Sequence, residues 1–586
     1  KSREEINLDP VDIDLIDLED KGTFDLLKKG LTTAVFQLES RGIKEYIVKL
    51  KPSNFEDIIA LVALYRPGPL EMKMVDTYIN RKKGVEQTKY GDDHVEKILK
   101  NTYGVIVYQE QVMQLAQEFS GFSLGQADLL RRAMGKKIPE EMEKQRPIFI
   151  EGAVKKGKSA RFAEGLFDQI ETFAGYGFNK SHSAAYAMIS YQTAWLKSHY
   201  PAQFMAAALS SEMGDSDKIQ LLLDDAKVLG LKILPPDINL STKDFVTLDN
   251  ESILFSLGAI KGVGDPAIEN IIQERSKKPF ENLNEFVSRV DLKKVDKRSL
   301  EPLIKSGALD SFNEDRFEMI NKLEGALKFA RQKTELKESN IDDLFGEISN
   351  SIEMKQTKLS SKFQEFGKSK LELDSLGFYL TAHPMDESGW EVKKIAPENI
   401  SSLTASKQIQ RCAGVVISYK KINTRRGPLI FATLDDNSDR LELIISGEVL
   451  EKFAQQLDNE KILIVDGEIS EDKSKEKENL GLAKKMNVSS ILTMEQARIK
   501  FARKLTICID SKDTSFLDKN IKELKSFSSS EMQDGCPVEI KYSSKEADAE
   551  MEVGDNFKIF LNDDNFKKLV KNYGEKNLDI NYFNRQ

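Results

Sequence analysis

Apolar residues recur at helical spacing through roughly the first 245 residues of the chain. The clearest runs cover residues 55–65, 109–119, 127–134 and 184–197. In each run the apolar side chains fall three or four positions apart, which is the spacing of one helix face. Proline and glycine at residues 66–69 and 175–177 interrupt the pattern, because neither residue type continues a helix well. The region is therefore predicted to be mostly α-helical.

The pattern changes near residue 253. Residues 257–264 form a short apolar run that ends in a Gly-x-Gly turn, and a helix is predicted from Asp265-Pro266 because proline is favoured in a first helical turn. A second pair of helices is predicted up to residue 308. Residues 311–375 are highly charged and weakly periodic around one apolar island, which predicts a mobile connector carrying a short interaction motif.

Short β-rich runs dominate between residues 408 and 495. They cover residues 413–419, 429–434, 441–445 and 462–469. Their spacing, with Gly, Asn and Asp between them, favours a five-stranded Greek-key barrel of the OB type. A small α/β domain is predicted after residue 500, from strands and one helix at 505–509, 538–542, 557–560 and 565–573. The predicted fold class is multidomain α+β.

The composition is that of a globular protein. The 586 residues are 40% hydrophobic and 31% charged, which excludes collagen-like, mucin-like and wholly disordered classes. No stretch approaches the ~20 apolar residues of a membrane helix and no signal pattern is present at the N-terminus, so a cytoplasmic location is expected. Cys412, Cys508, Cys536 and four scattered histidines show no ligand spacing, so we expect neither a disulfide framework nor a metal site.

One segment is basic although the chain as a whole is acidic. The formal net charge of −9 would repel a polyanion if it were spread evenly, so any nucleic-acid site must be local. Residues 127–161 contain ten Lys or Arg against five Asp or Glu, including Arg131 and Arg132. On a helix these two side chains point about 100° apart, so one can pair while the other binds a phosphate. The alternative is a solvated basic face.

A second candidate site precedes the apolar run at 184–197. Residues 179–183 follow a Gly-Tyr-Gly turn, and Ser183 is predicted to cap a helix that begins near Ala184. A helix start with free N–H groups, Lys180 and His182 suits a phosphate or a sugar hydroxyl. The alternative is an ordinary capped helix with a solvent-facing histidine.

A third candidate is the turn formed by Lys261, Gly262, Val263 and Gly264. It resembles the hairpin of a helix-hairpin-helix unit, in which glycines let backbone amides approach a nucleic-acid phosphate without reading sequence. The alternative is an ordinary turn between helices. An OB-type barrel downstream favours the nucleic-acid interpretation.

Two carboxylates near the N-terminus, Asp12 and Asp14, invite a catalytic interpretation. On a strand they would share one face, as two-metal phosphoryl transfer requires. Further acidic residues lead directly into a helix predicted from Lys21, which is typical of a solvated loop and cap. We therefore expect no catalytic residue here. A hydrolase that uses His182 is rejected because no partner nucleophile is supported.

Five segments closely resemble the alpha subunits of bacterial DNA polymerase III, the replicative C-family polymerases. They read FQLESRG at 36–42, ALYRPGP at 63–69, YQEQVM at 108–113, LRRAMGKK at 130–137 and GYGFNKSHSAAY at 175–186. The resemblance continues in order through the hairpin, residues 376–384 (LGFYLTAHP), the OB-like strands and the tail. It therefore covers essentially the whole chain, from the fingers domain onward.

The resemblance implies five regions. They are a mostly helical fingers domain with the end of the palm linker (1–245), tandem helix-hairpin-helix units for DNA and clamp (246–335), a connector with a clamp-binding motif (336–405), an OB-fold for single-stranded template (406–495) and a small α/β domain that binds the clamp-loader tau subunit (496–586).

The resemblance also implies roles for the candidate residues. Arg131 and Arg132 match the arginine pair that binds the triphosphate of the incoming deoxynucleotide (dNTP). Lys180, Ser181 and His182 match the loop beside its sugar and base, where the histidine would help to exclude ribonucleotides. The hairpin at 261–264 would hold duplex template–primer DNA.

The apolar island corresponds to the pentapeptide that docks into the β sliding clamp. Its residues are Ile341, Asp342, Asp343, Leu344 and Phe345. The usual first residue is glutamine, so Ile341 keeps the two apolar anchors but loses a polar contact, and weaker clamp binding is expected.

In the resembling family the catalytic aspartates and their Mg²⁺ ions belong to palm strands upstream of the fingers. We therefore expect this chain to lack them and to bind substrates without joining them. The proofreading exonuclease subunit would bind only through the missing N-terminal part. The alternative function is a non-catalytic DNA- and clamp-binding scaffold fragment.

Overall fold

The computed structural model describes most of the chain, which forms two compact units. The described residues are 10–135, 139–173, 176–338, 367–381, 383–387, 389–424, 427–451, 462–471, 484–510, 535–543, 548–554 and 557–582. Unit 1 comprises residues 1–236 and 240–259, and unit 2 comprises residues 237–239 and 260–586. Within the described ranges, no helix is both long enough and apolar enough to cross a membrane.

Unit 1 is mainly helical, as its periodicity predicts. Its helices are α1 (Lys21–Lys28), α2 (Arg41–Leu50), α3 (Phe55–Leu64), α4 (Pro67–Glu71), α5 (Met74–Lys82), α6 (Asp93–Leu99), α7 (Gln109–Glu118), α8 (Leu124–Gly135), α9 (Pro139–Lys155), α10 (Ala160–Phe173), α11 (Lys180–His199), α12 (Pro201–Ser211) and α13 (Ser216–Val228). A small sheet follows, in which β3 (Ser252–Leu254) lies between parallel β1 (Lys232–Leu234) and antiparallel β2 (Val246–Thr247).

Two apolar clusters stabilise unit 1. The first joins α1, α2, α3 and α5 to α11, which contributes the buried residues Ala187, Tyr191 and Ala194. The second joins α6 to α10, and α8 contributes its apolar face, including Leu130 and Met134. Because these faces are buried, the first turn of α11 and the polar side of α8 remain at the surface of the unit.

The N-terminal carboxylates lie in a turn. Residues Ile13–Leu15 form one 3₁₀ turn, and the Asp12 carboxylate accepts the amide of Asp14 at 3.0 Å. Asp20 in turn caps α1 by accepting the amide of Thr23 at 2.7 Å. The loop-and-cap interpretation therefore agrees with the geometry, and Asp12 and Asp14 do not share a strand face.

Unit 2 begins with helices and continues with sheets. The helices are α14 (Asp265–Lys277), α15 (Leu283–Arg289), α16 (Lys297–Lys305), α17 (Arg316–Glu338), α18 (Gly367–Leu376), α19 (Pro384–Glu387) and α20 (Gly389–Ile395). The helix predicted at Asp265-Pro266 is confirmed, with Pro266 in the first turn.

The predicted five-stranded barrel is confirmed. Its strands are β4 (Ser406–Thr424), β5 (Gly427–Asp435), β6 (Arg440–Ile445), β7 (Leu463–Glu471) and β8 (Lys484–Thr493). They close in the order β4-β5-β6-β8-β7, with β6 and β8 parallel and the other pairs antiparallel. This arrangement is an OB-type barrel with an apolar interior.

The C-terminal part of unit 2 contains strands and one long helix, as its sequence pattern predicts. Helix α21 (Met494–Phe501) leads into β9 (Ala502–Asp510), which pairs in parallel with β10 (Cys536–Ser543) and antiparallel with β13 (Leu578–Tyr582). Strands β11 (Asp548–Glu552) and β12 (Lys558–Ile559) pair with β10, and α22 (Asp563–Tyr573) precedes β13. The multidomain α+β prediction is therefore confirmed.

Candidate functional site

Helix α11 begins at Lys180, four residues before the predicted start at Ala184. Asn179 is the N-cap, and its side-chain oxygen accepts the amide of His182 at 2.9 Å. Ser183 is buried inside the helix, and its hydroxyl donates to the carbonyls of Asn179 and Lys180. The prediction of Ser183 as the cap is therefore wrong, and Lys180, Ser181 and His182 lie in the first turn of α11.

Two adjacent residues at the start of α7 hold the loop that leads into α11. The amide of Gln109 donates to the carbonyl of Phe178 at 2.9 Å, and its side-chain Nε2 donates to the carbonyl of Gly177 at 3.0 Å. Glu110 accepts the amide of Lys180 at 3.0 Å and the Asn179 side chain at 2.8 Å. A protein carboxylate therefore already lies at the positive end of α11.

The two predicted arginines of α8 share one carboxylate. Asp128 Oδ1 accepts from Nε and Nη2 of Arg131 at 2.9 and 2.8 Å, and its Oδ2 lies 2.7 Å from Nε of Arg132. The hydrogen bonds from Arg131, together with the positive charges of both arginines, hold the pKa of Asp128 below its usual value. Arg131 is about half as exposed as Arg132, with side-chain exposures of 32% and 64%.

Gln109 brings two of the predicted sites together. Its Oε1 accepts from Nη1 of Arg131 at 3.3 Å, while its Nε2 binds the loop before α11. The arginine of α8 and the loop that leads into α11, which are about fifty residues apart in sequence, are therefore bridged by one amide side chain.

An aromatic row runs along the first turns of α11. The ring of His182 stacks on Tyr186 with centroids 4.4 Å apart and planes 20° apart, and it meets the edge of Phe178 at 5.3 Å. Arg66 lies over the ring of Phe178, with its guanidinium carbon 4.3 Å from the ring centroid. His182 is exposed to solvent. Its ring contacts with Phe178 and Tyr186 hold it in one orientation.

Lys180 is paired within the unit. Its Nζ lies 3.0 Å from a carboxylate oxygen of Glu56 on α3 and 5.3 Å from the ring centroid of Tyr108. Both side chains of the ion pair are 40% exposed, so the pair is accessible to solvent and contributes little to stability. Ser181 is exposed. An anion could bind Lys180 if it replaced the Glu56 carboxylate in this ion pair.

The site has the chemistry of anion and ring binding. Its donors are guanidinium, ammonium and imidazole groups, which suit phosphate oxygens and a sugar or base. Among the residues that the structure describes, no group of three or more His, Cys, Asp or Glu is placed to hold a metal ion.

The Gly-x-Gly turn of unit 2 is exposed at three of its four residues. Gly262 has φ +87°, a conformation that favours glycine, and an added Cβ would lie 3.3 Å from the carbonyl oxygen of Arg298. The amides of Lys261 and Val263 donate within the unit, whereas those of Gly262 and Gly264 donate to no group of the described ranges. Val263 is buried and anchors the turn, whereas Gly262 and Gly264 are exposed.

The predicted clamp motif cannot be located. Residues Ile341, Asp342, Asp343, Leu344 and Phe345 lie outside the described residues.

Three family models match the chain in order. They are the bacterial DNA polymerase III alpha subunit finger domain over residues 1–157, the helix-hairpin-helix motif over 230–319 and the OB-fold nucleic acid binding domain over 411–491. Together they define a multidomain protein of nucleic-acid-binding architecture.

Curated relatives make the assignment specific. The DNA polymerase III subunits alpha of Pasteurella multocida and Vibrio cholerae are each 42% identical to the chain, and that of Escherichia coli K12 is 41% identical. Each alignment covers 98% of this chain and 50% of the relative, so the chain spans about half the length of the curated relatives it matches. The chain belongs to the DNA polymerase III alpha subunit family.

Several residues of the site were not found by reasoning from the sequence. Gln109, Glu110 and Asp128 bind the predicted cations or their loop, and Arg66 lies against Phe178. Segments 63–69 and 108–113, which contain Arg66, Gln109 and Glu110, contributed to the family resemblance. The spacing of their polar residues does not indicate a particular chemistry.

Proposed function

We propose that this chain is the substrate-positioning part of a replicative DNA polymerase alpha subunit. The observation that carries the proposal is the joining of Arg131 to the first turn of α11 through Gln109 and Glu110. This contact gathers two arginines, a lysine and an oriented histidine ring around one loop. Such a set suits a nucleotide, which offers phosphates at one end and a sugar and base at the other.

When the dNTP binds, in this proposal, the chain exchanges internal ion pairs for contacts to the nucleotide. Triphosphate oxygens replace the Asp128 carboxylate at Arg131 and Arg132, and Lys180 leaves Glu56 for the same triphosphate. The held ring of His182 lies beside the sugar, where it disfavours a 2′-hydroxyl. These residues bind and orient the substrate, and none of them is assigned a covalent role.

The DNA-binding role is assigned to unit 2. The exposed residues Gly262 and Gly264, whose amides donate to no group of the described ranges, and the exposed Lys261 suit backbone phosphates of duplex template–primer, which they would contact without reading sequence. The OB-type barrel suits single-stranded template. The five-region division, with boundaries at 245, 335, 405 and 495, is retained as part of this proposal.

The remaining partners are carried over from the resemblance. We assign the β sliding clamp to residues 341–345, the tau subunit to the C-terminal domain and the exonuclease subunit to a region outside this chain. We also propose a cytoplasmic location, because a replicative polymerase would act on the bacterial chromosome. We assign Mg²⁺ to palm carboxylates, as the resemblance implies; among the described residues, no group of three or more His, Cys, Asp or Glu is placed to hold a metal ion.

Primer extension tests the proposal. The chain is compared with an extended polypeptide in which a palm domain of the family precedes it, on a labelled primer–template with Mg²⁺ and dNTPs. Synthesis is expected from the extended polypeptide and not from the chain, because binding groups are present in both but catalytic carboxylates only in the former. A palm variant without its aspartates is the control.

Either of two results would overturn the assignment. Synthesis by the 586-residue chain, free of contaminating polymerase, would require catalytic carboxylates within it. An extended polypeptide that binds DNA but never extends the primer would instead favour the alternative of a non-catalytic scaffold.

Salt dependence tests the role of the hairpin. Binding of the chain to duplex DNA is expected to weaken steeply with salt and to vary little with sequence, because phosphate contacts release counterions. The substitution Lys261→Gln is expected to lower the slope of log K against log[salt] by about 0.9. The matched control Lys277→Gln, in the last turn of α14 and paired with Glu274, should leave the slope unchanged. A flat dependence for the unsubstituted chain would contradict the prediction.

A further inference from the structure

Gln109, the first residue of α7, contacts several parts of the proposed nucleotide site. It makes three hydrogen bonds, and each goes to a different part of the proposed nucleotide site. The backbone amide holds the carbonyl of Phe178, Nε2 holds the carbonyl of Gly177, and Oε1 receives Nη1 of Arg131. The carboxamide is thus oriented by one donor bond and one acceptor bond, a combination that neither a carboxylate nor an apolar side chain can make.

The contact between Gln109 and the loop is close as well as polar. A Cβ added at Gly177 would lie 3.1 Å from Cγ of Gln109 and 3.2 Å from Cε of Met134 on α8. The absence of a side chain at this position lets the loop approach both α7 and α8. A displacement of Gln109 would therefore be transmitted to the loop and to Arg131 together.

We infer that Gln109 is a positioning residue that couples the triphosphate arginine Arg131 to the loop carrying Lys180 and His182. The inference rests on the proposed function and adds a residue to it. Gln109 touches neither phosphate nor sugar. Its Oε1 bond orients the arginine that binds the phosphates and its Nε2 bond positions the loop whose ring lies beside the sugar, so that loss of both bonds weakens dNTP affinity and sugar discrimination together.

Two substitutions separate the two bonds. Gln109→Leu has similar volume and removes both side-chain bonds. Gln109→Glu keeps an acceptor for Arg131 but places a carboxylate against the carbonyl of Gly177, so that only the loop contact is lost. Both are measured in the extended polypeptide by steady-state primer extension with dNTPs and with ribonucleotides.

Gln109→Leu is expected to raise the KM for dNTP about tenfold, to change kcat by less than about threefold and to lower the dNTP-over-ribonucleotide preference about tenfold, since two hydrogen bonds are lost. Gln109→Glu is expected to lower the preference by a similar factor while KM stays within about threefold of the unsubstituted value. A residue that merely supports the fold would lower kcat/KM for both sugars equally.

Gln126→Ala is the matched control. Gln126 is an exposed glutamine whose side chain accepts a hydrogen bond from the amide of Ser123, just before α8. Its loss perturbs α8, the helix that carries Arg131, without removing a contact to Arg131 or to the loop. KM and sugar preference should remain within about twofold. Equal effects of Gln126→Ala and Gln109→Leu would overturn the inference.

Arg131→Ala separates the failure of this inference from that of the proposed function. If Arg131→Ala raises KM and Gln109→Leu does not, the coupling role is wrong and the nucleotide site stands. If neither raises KM, both are wrong. In the double variant the two effects on KM should combine to less than their product, because both act through one contact.

Discussion

Reversing the charge of Arg131 and Arg132 to glutamate is expected to lower kcat/KM for dNTP incorporation by about 10³-fold in the extended polypeptide. Each charge-assisted hydrogen bond to a phosphate contributes about 1.5–3 kcal/mol, so the loss of two amounts to about 3–6 kcal/mol. The new carboxylates would also repel the triphosphate. Single-nucleotide incorporation at rising dNTP concentration measures the effect, which should appear mainly as weaker dNTP binding.

The control is an equal reversal of two exposed lysines elsewhere in unit 1. Lys97 and Lys144 have side-chain exposures of 76% and 69% and pair loosely with Glu118 and Glu141. Their reversal changes the net charge by the same amount but should leave dNTP affinity within about threefold. Unchanged affinity in the arginine variant would show that the triphosphate binds elsewhere.

Replacing Arg316 with alanine is expected to destabilise unit 2 by about 3–5 kcal/mol, because it leaves a buried carboxylate without its cation. The Arg316 side chain is 1% exposed and lies 3.2 Å from Glu372, which is 0% exposed. Its Nε and Nη2 also bind Asp310 at 2.7 and 2.6 Å, and these bonds raise its pKa although burial opposes the charge. Urea unfolding followed by circular dichroism measures the loss.

An exposed ion pair on the same helix provides the control for this prediction. Lys322, 41% exposed, lies 3.3 Å from both Glu314 and Glu318. Lys322→Ala should shift the urea transition by less than about 0.5 kcal/mol. The double variant Arg316→Met with Glu372→Gln should be less destabilised than Arg316→Ala, since no unpaired buried charge remains. Equal destabilisation of all three variants would refute the buried-charge explanation.

Much of the architecture could be predicted because it follows from periodicity. The apolar face of each of the helices α3, α7 and α8 can be recognised from about ten consecutive residues. Along the barrel strands, apolar and polar residues alternate. Strand β4 was predicted over 413–419 but extends over Ser406–Thr424. Both ends of β4 are mostly exposed and lack a clear apolar alternation. Backbone pairing with β7 holds the first end and pairing with β5 holds the second, and local sequence does not encode either pairing.

The site could be predicted by residue type but not by connection. Asn179 and Ser183 are equally good caps in sequence, and Glu110, about seventy positions away, is what holds Asn179 in that role. The pairing of both arginines with Asp128 follows helical spacing of three and four residues and could have been expected. The bridge from Gln109 to Arg131 could not, because it depends on how α7 and α8 pack.

The shared carboxylate of Asp128 has a consequence for ligand selectivity. In the proposed function an incoming anion must break the contacts of both arginines with one side chain, and it recovers that cost only if it can engage both guanidinium groups. A triphosphate has oxygens enough to do so, whereas a single phosphate satisfies one arginine and leaves the other in competition with Asp128. One aspartate would thus act as a threshold that favours long polyphosphate chains over the inorganic phosphate and nucleoside monophosphates abundant in a cell.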